Sequence, residues 1–251
     1  MKKLLVIAGT HQRETEFSHS VVDMLIDLEK GSRRPCDTLI GEDEATKAVI
    51  WDTARITIAK LYPLGNGEPT EDWLKKQTPK RIGYLEDFRK RCGTYFPPRI
   101  AETFGGEGQW TSVHDLLIHK YSPLFFVDLH SYHNNTRGII GKGMQINSHS
   151  DRRFDNIIAS ALKKAQLNDP EVYGKEQSIE QLRQLREESA REKEIEKLNE
   201  NGWWFVSWGK PEPRGNYYCF EAKHWQKNQQ EATANFILEY LVPEANAFQA
   251  K

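Results

Sequence analysis

The run from Leu4 to Ala8 is wholly apolar and then breaks into Gly9-Thr10-His11, the pattern of a buried strand ending in a loop. From Thr15 to Lys30 the period changes. Phe17, Val21, Val22, Leu25, Ile26 and Leu28 recur at helical spacing, and Gly31 stands where a C-terminal cap belongs. Further strands are predicted over Lys47 to Trp51, Arg55 to Leu61, Pro123 to Leu129, Trp203 to Trp208 and Asn216 to Ala222. Helices are predicted over Thr70 to Lys76, Arg81 to Cys92, Ser112 to Tyr121 and Arg153 to Gln166. Over Gln229 to Leu241, residues Ala232, Phe236, Ile237, Tyr240 and Leu241 share one helical face, and Pro243 is read as the stop. Strands that alternate with helices define an α/β class: one domain with a mixed, twisted central sheet and helices on both faces.

One segment departs from this pattern. Gly174 to Asn201 is dominated by Glu, Gln, Lys and Arg, with Ile179, Leu182, Leu185, Ile195 and Leu198 as its sizeable apolar residues. It reads as a thinly buried helical insertion at about 174–201 within a single domain spanning residues 1–251, held by i,i+4 charge pairs and open to use in oligomer contacts. The remaining composition is ordinary. Hydrophobic residues are 38%, charged residues 28% and the formal net charge is −1, which gives no polyanion-binding or membrane-surface signal, so neither nucleic acid nor membrane is expected as a partner. Cys36, Cys92 and Cys219 are odd in number and widely spaced, which argues against a disulfide framework and for a reducing compartment. The opening MKKLLVIAG stops short of a signal-peptide core, and no later run reaches membrane-spanning length; the expected location is the cytoplasm.

Polar residues that interrupt or end the apolar runs carry the candidate chemistry. His11 and Glu14 follow the first strand, His130 ends the run LFFVDL, and Glu221 lies inside YYCFEAK. Strand ends are where ligands gather in open α/β sheets. Two imidazoles and a carboxylate suit a catalytic Zn²⁺ with one open position for water, and a second carboxylate can take that water's proton. On this reading His11, Glu14 and His130 hold one zinc ion per chain, and Glu221 is the general base. Asp128, two residues before His130, faces the same way and is a candidate to orient a ligand histidine.

GTHQRE, FFVDLHSY and YYCFEA resemble, in order and rough spacing, the motifs of the zinc carboxypeptidase superfamily, including the succinylglutamate desuccinylase and aspartoacylase group. The resemblance implies the zinc carboxypeptidase fold and assigns the same roles to His11, Glu14, His130 and Glu221. His130-Ser131-Tyr132 leans toward the carboxypeptidases, and Asp128-Leu129-His130 toward the deacylases. The family's Asp-x-Asn-Arg segment has no clean copy: Glu86-Asp87-Phe88-Arg89 stands near its place but also reads as a plain helix. Arg89, Arg99 and Arg137 are therefore rival clamps for a substrate carboxylate. The stretch from Glu221 to Lys251 is too short for the additional β domain of aspartoacylase-type enzymes, which counts against a small N-acyl substrate.

The resulting expectation is a metallopeptidase that releases a C-terminal residue from a small peptide. An N-acyl amino acid deacylase is the alternative, and a non-catalytic binding protein on the same scaffold is the reading from another class. His19, His114, His119 and His149 are read as structural or solvated, His133 as a pocket-wall residue, and Trp203, Trp204 and Trp208 as packing for a late strand. Gly105-Gly106-Glu107-Gly108 lacks the lysine and strand context of a phosphate loop.

Overall fold

Leu4–Ala8 (β1) is buried at all five positions because both of its faces are covered. The computed structural model describes residues 3–10, 15–29, 34–42, 44–65, 68–79, 82–83, 86, 90, 112–132, 144–165, 203–207, 215–223 and 227–249. After β1 the elements are α1 (Thr15–Leu28), β2 (Asp37–Ile40), β3 (Thr46–Asp52), β4 (Ile56–Pro63), α2 (Glu71–Lys75) and α3 (Ser112–Tyr121). They continue with β5 (Phe126–Tyr132), β6 (Met144–His149), α4 (Arg152–Ala165), β7 (Trp203–Ser207) and β8 (Tyr217–Lys223). The chain closes with α5 (Lys227–Asn235), a π-helical segment (Phe236–Leu241) and α6 (Val242–Gln249).

The strands form one eight-stranded mixed sheet in the order β2-β3-β4-β1-β5-β8-β6-β7. Its middle is parallel: β4, β1, β5 and β8 run the same way. β3 is antiparallel to β2 and β4, and β6 is antiparallel to β8 but parallel to β7. From β1 the chain crosses to the edge strand β2, comes back through β3 to β4 beside β1, and later adds β5 on the other side of β1. That reversal makes the carboxyl ends of β1 and β5 a topological switch point, where open α/β sheets have a crevice.

The period-2 alternation divides the strand residues between two cores. Leu4, Val6, Ala8, Ile56, Ile58, Val127, Leu129, Ile146, Tyr218 and Phe220 pack against α1, α4 and the C-terminal helices. Leu5, Ile7, Ala48, Ile50, Ala59, Leu61, Phe126, Tyr217 and Cys219 pack on the other face with Val113 and Leu117 of α3. The expected mixed α/β sheet with helices on both faces is therefore present. In α1 the predicted stripe of Phe17, Val21, Val22, Leu25 and Ile26 is buried, each side chain contributing roughly 2 kcal/mol through burial. Trp203 packs as expected, with its ring centroid 4.6 Å from that of Phe236. No helix among the described residues is long and apolar enough to cross a membrane.

Three boundaries differ from the sequence expectation. β2 is a short edge strand with half of its positions exposed, so it has no continuous apolar run. β6 carries Gln145, Asn147, Ser148 and His149, and its polar content hides the strand; His149 ends it rather than lying in a turn. Pro243 does not stop the last helix. The N–H of Val242 reaches Ile237 O five residues back, and this wider turn lets Pro243 enter at the start of α6, where its missing N–H costs little. Gly31, most of the predicted helix Arg81 to Cys92 and the insertion Gly174 to Asn201 lie outside the described residues.

The exit from β1 is tightly constrained. Gly9 has φ +86°, and a Cβ there would stand 2.5 Å from His19 Nε2 and 2.6 Å from Leu61 O. Its N–H donates to Ser18 Oγ at 3.1 Å, tying the turn to α1. Replacing Gly9 with Ala is expected to cost on the order of 2 kcal/mol in urea unfolding, through positive-φ strain and contact with a backbone carbonyl. His19 itself lies 3.2 Å from Leu61 O through Nε2. Burial, and then the Lys60 ammonium, lower its pKa from 6.5 to about 4, against the opposing effects of the Leu61 carbonyl and Asp23. The unfolded chain takes up this proton at higher pH than the folded one does. The stability His19 contributes is therefore present above pH 6.5 and lost as pH falls toward 4. Denaturation followed across that window should show a slope that flattens in His19→Gln, whose amide retains a donor for Leu61 O.

Candidate functional site

The alternation that sends Val127 and Leu129 to one core sends Asp128 and His130 to the face covered by α3. In β8, Cys219 and Glu221 occupy the same face, and the strands pair Asp128 with Cys219 and His130 with Glu221. Adjacent strands are about 4.8 Å apart, so the sheet sets the His130 and Glu221 backbones side by side. Beyond β1, Gly9 turns the chain so that Thr10 meets Asp128, and α3 brings His114 to Thr10.

These contacts form a continuous buried chain of polar groups. Thr10 Oγ1 donates to Asp128 Oδ1 at 2.6 Å, and the other carboxylate oxygen, Oδ2, lies 2.8 Å from His130 Nε2. His114 Nε2 lies 3.3 Å from Thr10 Oγ1. Relative exposures of 1% for Thr10 and His114, 0% for Asp128 and 3% for His130 put all four out of bulk water. Glu221 is half-buried and accepts from Cys219 Sγ at 3.3 Å.

Of the residues singled out in the sequence, the fold brings Asp128, His130 and Glu221 together at the ends of β5 and β8. The expected common direction of Asp128 and His130 holds, and the histidine that Asp128 contacts is its own strand neighbour. His11, Glu14, His133, Arg89, Arg99 and Arg137 lie outside the described residues. His114, read as structural or solvated, is the former: it is buried against Thr10. Sequence reasoning also passed over Thr10 itself. The available signal was the small hydroxyl residue after Gly9 at a strand end, and it names no partner without the fold. Tyr217 stacks on Phe126 with centroids 5.2 Å apart, and Tyr218 donates to Phe154 O at 2.6 Å, so both tyrosines belong to the core.

A second polar cluster, buried at Ser148, Ser150 and Asp155 and exposed at Arg153, lies elsewhere. Ser150 donates to Asp155 Oδ1 at 3.0 Å, Ser148 also donates to that oxygen, and Arg153 N–H caps on Asp151 at 3.0 Å. It fastens the start of α4 to the end of β6. At the opposite end of the central strands Arg55 holds Glu29 and the carbonyl of Leu238, and Thr53 also donates to Glu29. These contacts anchor α1 and the π-helical segment.

Comparison with protein families returns no match, and comparison with curated proteins returns none. Among solved structures, the 5'-methylthioadenosine/S-adenosyl homocysteine nucleosidase of Campylobacter jejuni is similar with TM-score 0.37 and 9% identity, over 97% of this chain and 100% of that one. A futalosine hydrolase mutant of Helicobacter pylori is similar with TM-score 0.35 and 5% identity, over 100% of this chain and 97% of that one. Likenesses of this strength assign no activity to the chain. The expected membership of the zinc carboxypeptidase superfamily is corrected: the comparison with protein families returns no match to it. With it go the zinc ion, the carboxypeptidase and deacylase activities, and the binding protein on that scaffold. Among the described residues no group of three His, Cys, Asp or Glu is placed to hold a metal ion.

Proposed function

We propose that the chain is a hydrolase whose acid–base apparatus is His130, oriented by Asp128, together with Glu221. The observation that carries this reading is the buried Asp128–His130 pair, 2.8 Å apart and in register with Glu221 at the carboxyl ends of the parallel strands. A carboxylate is costly to bury, and one set beside an imidazole favours the ring's protonated form. The His130 ring takes a proton from a water as that water attacks the substrate. The imidazolium so formed is stabilised by Asp128 and returns the proton to the leaving atom. Glu221, half-buried beside it, orients the water through its carboxylate.

His11 and Glu14, within four residues of Thr10 in sequence, are proposed as further polar members of this site. One arginine among Arg89, Arg99 and Arg137 is proposed to anchor an anionic group of the substrate. The test is turnover of a panel of nucleosides and carboxylic esters, followed by release of base or acid. His130→Ala and Glu221→Gln are each expected to lower kcat/KM by about 10²–10⁴-fold on whichever substrate is cleaved. Unchanged turnover in both variants, with folding verified by thermal unfolding, would sink the assignment.

A further inference from the structure

Cys219 stands where the apolar and polar parts of one sheet face meet. On the face covered by α3, Tyr217 and Cys219 pack in the apolar cluster with Phe126. At the level of Cys219 the neighbouring strands turn polar: it is in register with Asp128 of β5 and with Asn147 of β6, both buried. Two residues on, β8 carries Glu221 on the same face. The Cys219 thiol, itself 1% exposed, donates to Glu221 Oε1 at 3.3 Å. Successive residues on one face of a strand are roughly 6.6 Å apart at Cα, so this contact draws the glutamate carboxylate back along β8 toward the level of Asp128.

We infer that Cys219 is a positioning residue for Glu221: its thiol proton holds Oε1, which fixes where the carboxylate sits and narrows the directions in which Oε2 can point. This rests on the reading of Glu221 as the group that orients the attacking water, where that direction decides turnover. The residue type answers both demands of its place. A thiol packs as a small apolar group and is also a weak hydrogen-bond donor, and a carboxylate acceptor strengthens the bond over one to a neutral oxygen. Alanine keeps the apolar character and loses the donor. Serine keeps the donor but sets a hydroxyl against the apolar cluster, which is costlier to bury. Packing and positioning therefore rank the two replacements in opposite order: if Cys219 only fills space, Ala is the better substitute, and if it holds Glu221, Ser is.

Infrared spectra of the full chain in the S–H stretching region report the bond without any substrate. The chain has three cysteines, and the band lost in Cys219→Ala identifies that of Cys219; should that variant fail to fold, Cys219→Ser gives the same assignment. Donation to a carboxylate weakens the S–H bond, so the band is expected at lower wavenumber in the wild type than in Glu221→Ala. A band that does not move overturns the inference. On whichever substrate is cleaved, Cys219→Ala is expected to lower kcat about fivefold with KM unchanged, the scale of one modest hydrogen bond, and Cys219→Ser to recover most of it. A kcat in Cys219→Ala equal to that of the wild type, or a Cys219→Ser variant slower than Cys219→Ala, also overturns the inference. Failure of the hydrolase reading would appear separately, as turnover that survives Glu221→Gln while the S–H band still shifts.

Discussion

The carboxylate of Asp128 is the group around which the carboxyl end of the sheet is arranged. It is fully buried, and an ionised carboxylate taken out of water costs several kcal/mol unless hydrogen bonds replace its hydration. One of those bonds comes from Thr10, and the His130 ring stands 2.8 Å from the other oxygen. Thr10 can supply its bond only because Gly9 turns the chain at positive φ directly after β1, where α1 and β4 leave no room for a Cβ. The first turn of the chain is thus fixed by the needs of a side chain more than a hundred residues later. The parallel pairing of β1 with β5 is the register that lets the two meet.

The two ends of the central strands are built from different chemistry. At the amino end, Arg55 reaches Glu29 and the Leu238 carbonyl and fastens helices that follow quite different strands. One partner there is a guanidinium that is about two-fifths exposed, so the contact acts mainly as a geometric tie. At the carboxyl end the polar groups are almost wholly buried and linked in series. Deep burial strengthens each bond and penalises any missing partner, so a displacement of one member is felt by the next.

How much of this was legible in the chain depended on how each element spends its residues. β1, β4, β5 and β8 bury both faces; apolar runs revealed β1, β5 and β8, and alternation revealed β4. β2 and β6 are thinner in apolar residues, and neither rose above the loop background. The helical stripe of α1 was plain because its period is unambiguous. Pro243 misled because a proline ordinarily ends a helix, whereas here a π-helical segment precedes it and lets the chain continue. The polar interruptions at Asp128, His130 and Glu221 were visible as departures from apolar runs. Their partners Thr10 and His114 were not, because the first lies in a loop and the second sits on a helix whose buried face only the tertiary structure defines.

The same comparison explains why those interruptions suggested a metal. Histidine and carboxylate side chains at strand ends are what a metal site requires, but they are equally what a buried hydrogen-bonded relay requires. In both, a carboxylate beside an imidazole fixes the ring and leaves one nitrogen for the work of the site. Sequence spacing reports which residues can share a face. It does not report whether a third group completes a coordination sphere or a hydrogen-bond chain. That distinction lies in the partners of individual donors, and in this chain the Thr10 hydroxyl donates to Asp128, a partner that the fold alone brings within reach.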